Sequence, residues 1–125
     1  MKTKVILFLS IVMITFACKG TKKSQKSAGL DSCRVIVSFI SKGEGPDSKT
    51  MASLESYVLS FGKKEGKTIA YDIYHWGKEG EMDYCFYLKE LSKGKQEDFV
   101  NGLKNLTKES SLVFINENSS CSHKK

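Results

Sequence analysis

At 125 residues, with 40% apolar residues and 20 Lys and Arg against 14 Asp and Glu, the chain has length for one small domain with one modest core. The formal charge of +6 raises nucleic-acid binding, but that charge lies outside the segment able to fold. Lys2, Lys4, Lys19, Lys22, Lys23 and Lys26 all precede Ser32, and from Ser32 onward 14 basic residues stand against 13 acidic ones. A near-neutral domain excludes nucleic acid as the expected partner.

Lys2 and Lys4 open the chain, and VILFLSIVMITF, residues 5–16, follows without a charge. As a helix it spans roughly 18 Å, short of the roughly 30 Å of a bilayer core. That is the length of a signal-peptide apolar region. A small residue, Ala17, then precedes Cys18. TFAC, residues 15–18, resembles the lipobox of bacterial lipoproteins, with Thr15 and Phe16 where the common form has Leu and a small residue. The resemblance implies a signal peptide over 1–17 and a diacylglycerol-modified Cys18 as the new N-terminus. The domain is then lipid-anchored in the cell envelope, on the periplasmic side or at the cell surface. Each buried methylene contributes about 0.8 kcal/mol, so two or three acyl chains on one cysteine hold a protein on a membrane where one does so only marginally. KGTKKSQKSAG, residues 19–29, has almost nothing to bury. With Cys18 it reads as a flexible tether over 18–31.

Residues 33–41, CRVIVSFIS, are β-branched and aromatic and predict a strand. KGEGPDSK breaks it, and Asp47 or Ser48 after the single Pro46 starts a helix. Met51, Leu54, Val58 and Phe61 recur at helical spacing, and Gly62 with KKEGK ends that helix. TIAYDIYHW, 68–76, alternates as a half-buried strand. GKEGE turns the chain, and MDYCFYLKEL, 82–91, pairs back as a hairpin. Ser92 caps a second helix, in which Phe99, Leu103 and Leu106 share a face, and SLVFINE, 111–117, is the last strand. The β-α-β-β-α-β order predicts an α+β ferredoxin-like sandwich over 32–121, with a tail at 122–125. Its four-stranded antiparallel sheet has spatial order 4-1-3-2 and both helices on one face.

In that arrangement the start of the first strand lies beside the end of the last, which predicts a Cys33–Cys121 disulfide. An exported protein sits where disulfides persist. Such a bridge closes nearly the whole domain, for up to about 4–5 kcal/mol in the chain-entropy model. Cys85 remains as a half-buried strand residue. Its competing reading, a bridge to Cys33, takes the first and third strands as parallel neighbours. The cysteines show no zinc-type spacing, so no metal and no cofactor are expected.

By parity Val35, Val37, Phe39, Ile69, Tyr71, Ile73, Tyr84, Phe86 and Leu88 face the helices. Arg34, Ile36, Ser38, Ile40, Asp72, Tyr74, Trp76, Cys85 and Tyr87 then face away. Ile36, Ile40, Tyr74, Trp76 and Tyr87 make an apolar, aromatic patch on the uncovered side, with Ile36, Tyr74, Trp76 and Tyr87 as the expected interface residues. That patch predicts an interface with a protein partner, a second copy, or a covering segment of tether or tail. The alternative function is a small-ligand or metal-binding module using the 75–83 hairpin, with His75, Glu79, Glu81 and Asp83. Those acids suit a solvated hairpin tip, and no catalytic residue is assigned, so the chain is not expected to be an enzyme. His123 falls in a tail expected to fray. The strings SFISKGEGPD and WGKEGEMDYCFYL also resemble parts of small uncharacterised lipoproteins of Bacteroidota type. That resemblance implies the anchored class and no activity.

Overall fold

The computed structural model describes residues 32–124. The signal peptide, Cys18 and the tether expected over 1–31 lie outside the described residues. Six elements follow in the predicted order: β1 (Ser32–Phe39), α1 (Ser48–Glu65), β2 (Tyr71–His75), β3 (Met82–Phe86), α2 (Lys93–Thr107) and β4 (Val113–Ser120). The sheet order is β2-β3-β1-β4, which is the ferredoxin-like order expected. Every pairing is antiparallel, including β1 with β3, which corrects the parallel neighbourhood that a Cys33–Cys85 bridge presupposes.

Helix α1 starts where the sequence places it. The Asp47 carboxylate accepts from the Thr50 N–H at 3.0 Å, and from the Thr50 and Ser110 hydroxyls at 2.7 Å each. The Thr50 N–H first, then the two hydroxyls, pull the Asp47 pKa down to about 2. The helix passes through Gly62 instead of stopping there and is capped by Gly66 in the left-handed region, φ 64°. Gly62 serves closeness instead: a Cβ there would lie 2.6 Å from the Lys67 carbonyl oxygen, where the chain folds back.

Strand β3 ends at Phe86, earlier than the apolar run suggests, because Leu88 turns the chain at φ 56° while staying buried. The Gln96 side chain secures this turn by donating to the carbonyls of Leu88 (2.8 Å) and Leu91 (3.1 Å). Ser92 occupies the cap position of α2, but its hydroxyl makes no capping bond.

The core lies between the helices and one face of the sheet. Val35, Val37, Phe39, Tyr84, Phe86 and Leu88 are buried there, as parity predicts, with Leu54, Phe99 and Leu103 from the helices. Phe99 is its aromatic centre, 5.1 Å from the Phe61 ring and 5.3 Å from Phe86. The helices approach closely at Gly102, where a Cβ would strike the Tyr57 ring. The Tyr57 hydroxyl in turn donates to the Phe99 carbonyl at 3.1 Å.

Strand parity fails at one place. The β1–β4 ladder skips the Arg34–Asn118 pair, and Asn118 is left-handed at φ 51°. Arg34, expected on the uncovered face, reaches α2 instead and bonds Glu97 and Glu117 at 2.8 Å each. Lys104 also pairs with Glu117. Lys104, then Arg34, holds the Glu117 carboxyl below the usual carboxylate range. On the other side of this irregularity Cys33 is buried away from the main core.

Candidate functional site

The sheet face opposite the helices is covered in part, over β3 and the end of β2, while Phe114 on β4, opposite Ser38, stays 50% exposed. At the end of β4 the chain turns back across this face, and residues 121–124 pack onto β3 and the end of β2. Cys121 is bonded to Cys85 on β3. The expected Cys33–Cys121 bridge is therefore replaced by Cys85–Cys121. Cys33 is a buried thiol whose sulfur lies 3.7 Å from that of Cys121. Sheet topology alone brings Cys33 and Cys121 together correctly. Cys85 escapes that reasoning because β1 and β3 are antiparallel, with Ile36 opposite Cys85, so the third sulfur also falls beneath the returning tail.

All three sulfurs lie within 4.8 Å of one another. Ile36 completes the cluster, with Tyr74 and Tyr87 packed against it. Burial pushes the Cys33 thiol pKa up, while hydrogen bonds from the Tyr87 hydroxyl and the Cys121 backbone N–H oppose that rise. The Tyr87 hydroxyl is itself pushed far up by burial, then by Cys33, Tyr74 and Asp72 nearby.

A second fastening lies two residues further along. His123 stacks on Trp76 with ring centroids 4.4 Å apart and planes within 15°. Its Nδ1 is 2.6 Å from the Asp83 carboxylate, and the Trp76 Nε1–H donates to the other Asp83 oxygen at 3.1 Å. Asp83 is only 3% exposed. A buried carboxylate needs partners, and here the ring stack supplies both. His123, expected to fray, is instead part of the fold.

This covering removes most of the predicted interface. Ile36 is 4% exposed, Tyr74 and Tyr87 are half-buried in the sulfur cluster, and one face of Trp76 is taken by His123. Of the outcomes expected for the patch, covering by the chain's own tail is the one found.

The 75–83 hairpin does not gather its acids into a site. Glu79 accepts the Gly43 N–H at 3.0 Å and so ties the hairpin tip to the loop before α1. Glu81 accepts the Glu79 N–H at 3.0 Å, Asp83 is committed to the tail, and His75 points to solvent. Among the described residues the only group of three or more His, Cys, Asp or Glu placed to share a metal ion is the cysteine trio.

The other exposed large apolar side chains lie where sequence parity places core. Tyr71 and Ile73 point to the helix side, opposite Phe86 and Tyr84 in register, and Tyr71 packs on both rings at 5.2 and 5.6 Å. Yet β2 is an edge strand that α1 does not cover. Tyr71 remains 37% and Ile73 40% exposed, with Leu59 of α1 at 67%. Between helix and strand runs a groove of about 660 Å³, lined by Val58, Leu59, Gly62, Ile69 and Tyr71 and flanked by Lys63 and Lys67. At its end the Tyr84 hydroxyl donates to Glu55 at 3.0 Å. Burial, then Glu55, raises the Tyr84 pKa well above the usual tyrosine range.

Among the described residues no helix is long and apolar enough to cross a membrane. No family profile, curated protein or solved structure matches the chain.

Proposed function

We propose that the chain is an envelope lipoprotein, anchored through Cys18, whose ferredoxin-like domain is a protein-interaction module that binds an extended segment of a partner along β2. The anchor reading rests on the uncharged run, Ala17 and the lipobox resemblance at 15–18. One observation carries the binding surface: an edge strand with two exposed apolar side chains beside an apolar groove. An unpaired edge offers main-chain hydrogen bonds, and the groove offers room for alternate side chains of an added strand. Lys63 and Lys67 at its rim favour a segment in which acids flank the apolar residues. The proposed interface thus lies on the helix side of β2 and not on the face over which the tail packs.

The test is a photo-reactive residue at Ile73, introduced in the full chain and activated in intact envelopes. An adduct at Ile73 that disappears with Leu59→Asp, while a probe at Lys108 on the far helix end gives none, supports the reading. Equal labelling at both positions, or insensitivity to Leu59→Asp, contradicts it. Leu59 is mostly exposed, so this substitution spares the core. The anchor is tested separately by intact mass from native membranes, which should begin at Cys18 and carry acyl chains.

A further inference from the structure

We infer that Cys33, Cys85 and Cys121 form a redox-gated site for a soft monovalent cation of the Cu(I) class, available when the Cys85–Cys121 bridge is reduced. The site is independent of the β2 groove.

The arrangement of the sulfurs comes first. Metal–thiolate bonds of about 2.3 Å place the three sulfurs of a trigonal site about 4 Å apart. Here Cys33 and Cys121 are 3.7 Å apart, and no pair exceeds 4.8 Å. The obvious alternative is a bridge that hops between partners by attack of Cys33 on Cys121. That attack needs the nucleophile in line with the bond being broken. With a sulfur–sulfur bond of about 2.05 Å, an in-line Cys33 would sit roughly 5.7 Å from the Cys85 sulfur, beyond the 4.8 Å that encloses all three. The sulfurs form a triangle, which suits a shared ion better than an exchange.

The tail adds preorganisation. Opening the bridge does not release Cys121, because the His123 stack on Trp76 and its bond to Asp83 hold the same segment two residues away. The tail segment therefore stays in place on reduction, and only the Cys85 and Cys121 sulfurs need to part, from bonding distance to the spacing of a trigonal site. Tyr87 packs against the cluster with its hydroxyl near Cys33, an outer contact of the kind that can steady a thiolate ligand.

The donor set selects the ion. Structural zinc takes four ligands, but no His or carboxylate joins the three sulfurs among the described residues. Thiolates in a dry, apolar surround favour Cu(I), which is satisfied by two or three sulfurs. The chemistry balances as two steps. A dithiol reductant gives two electrons and two protons to the Cys85–Cys121 bond and becomes a cyclic disulfide. Each copper–sulfur bond then formed releases one thiol proton to solvent.

The experiment uses the full chain carrying Cys18→Ser throughout, so that only the three domain thiols compete. The protein is reduced with dithiothreitol, desalted under argon and titrated with Cu(I) held by bicinchoninate. Loss of the chelator colour and the near-ultraviolet sulfur-to-copper band are read together. One Cu(I) should be withdrawn per chain, at least tenfold more weakly with Cys33→Ser, and the unreduced protein should withdraw none. Zn(II), competed against its own chelator, should bind at least a hundredfold more weakly. No withdrawal, equal withdrawal by Cys33→Ser, or zinc binding as tight as copper would each overturn the inference. So would a reduced chain whose far-ultraviolet dichroism shows it unfolded and not restored by Cu(I).

Discussion

The two faces of the sheet are built by different means. On the helix side, Val35, Val37, Phe39, Tyr84, Phe86 and Phe99 are buried by the regular alternation of strands and the regular turn of helices. On the other side, Cys33, Ile36, Cys85 and Asp83 are buried because a few residues of tail return across them. The first face follows from local pattern repeated many times, and losing one contact leaves the pattern intact. The second depends on two fastenings, a disulfide and a His–Asp–Trp group. It combines little apolar area with several polar and reactive side chains, which is where a core gives way to a site.

Substitutions should separate these two constructions, and the largest effect belongs to the helix side. Phe99→Ala removes a fully buried ring between Phe61 and Phe86 and should cost about 3–5 kcal/mol, read from the urea midpoint. Next comes the bridge. Cys85→Ser opens a loop with a sequence separation of 36 and should cost about 2–4 kcal/mol. Cys33→Ala leaves that loop closed and should cost about 1 kcal/mol, chiefly in lost packing. If the order of these two cysteine variants is reversed, Cys33 and not Cys85 holds the tail.

Smaller still is the second fastening. His123→Ala should cost about 1–2 kcal/mol through the lost stack and the Asp83 oxygen left without a partner, Trp76 still serving the other. Because Trp76 is the single tryptophan, the same variant should change the emission of the folded protein, which Ser122→Ala should not. The smallest effect sits far from both faces. Asp47→Ala removes the α1 cap and should cost about 1 kcal/mol at neutral pH. The folded Asp47 pKa lies near 2, below its unfolded value. Its contribution is therefore present above about pH 4 and is lost as the pH falls toward 2. Wild type and Asp47→Asn should converge in stability over that range. A difference that keeps its neutral-pH size at pH 2 would mean that the carboxylate does not act through its charge.

How legible each face is in the sequence follows from the same distinction. Element order, sheet order and the helix-side core come from periodicity, because burial on that face is decided by neighbours two, three or four residues apart. The ends of elements are less legible. Leu88 turns the chain with left-handed backbone that its residue type does not announce, Asn118 does so with a type that tolerates that region but gives only a weak signal, and Arg34 changes face at the skipped pair. The covered face is legible only in part. Sheet topology brings Cys33 and Cys121 together, but the bridge to Cys85 depends on how far the tail travels after the last strand, which no local pattern encodes. His123 carries no sequence signal beyond its spacing from Cys121. Alternation places Tyr71 and Ile73 correctly toward the helices, yet exposure at a sheet edge depends on the width of the helix layer above them.

The most direct measurement is disulfide mapping of the unreduced protein, with free thiols alkylated after denaturation and the peptides identified by mass. A tail fastened to β3 predicts one linked pair joining the peptides that contain Cys85 and Cys121, with the label on Cys33. A linked pair containing Cys33 would contradict it: Cys33–Cys121 would fasten the tail to β1 instead of β3, Cys33–Cys85 would leave the tail unlinked, and in either case the three-sulfur site would lose its gate.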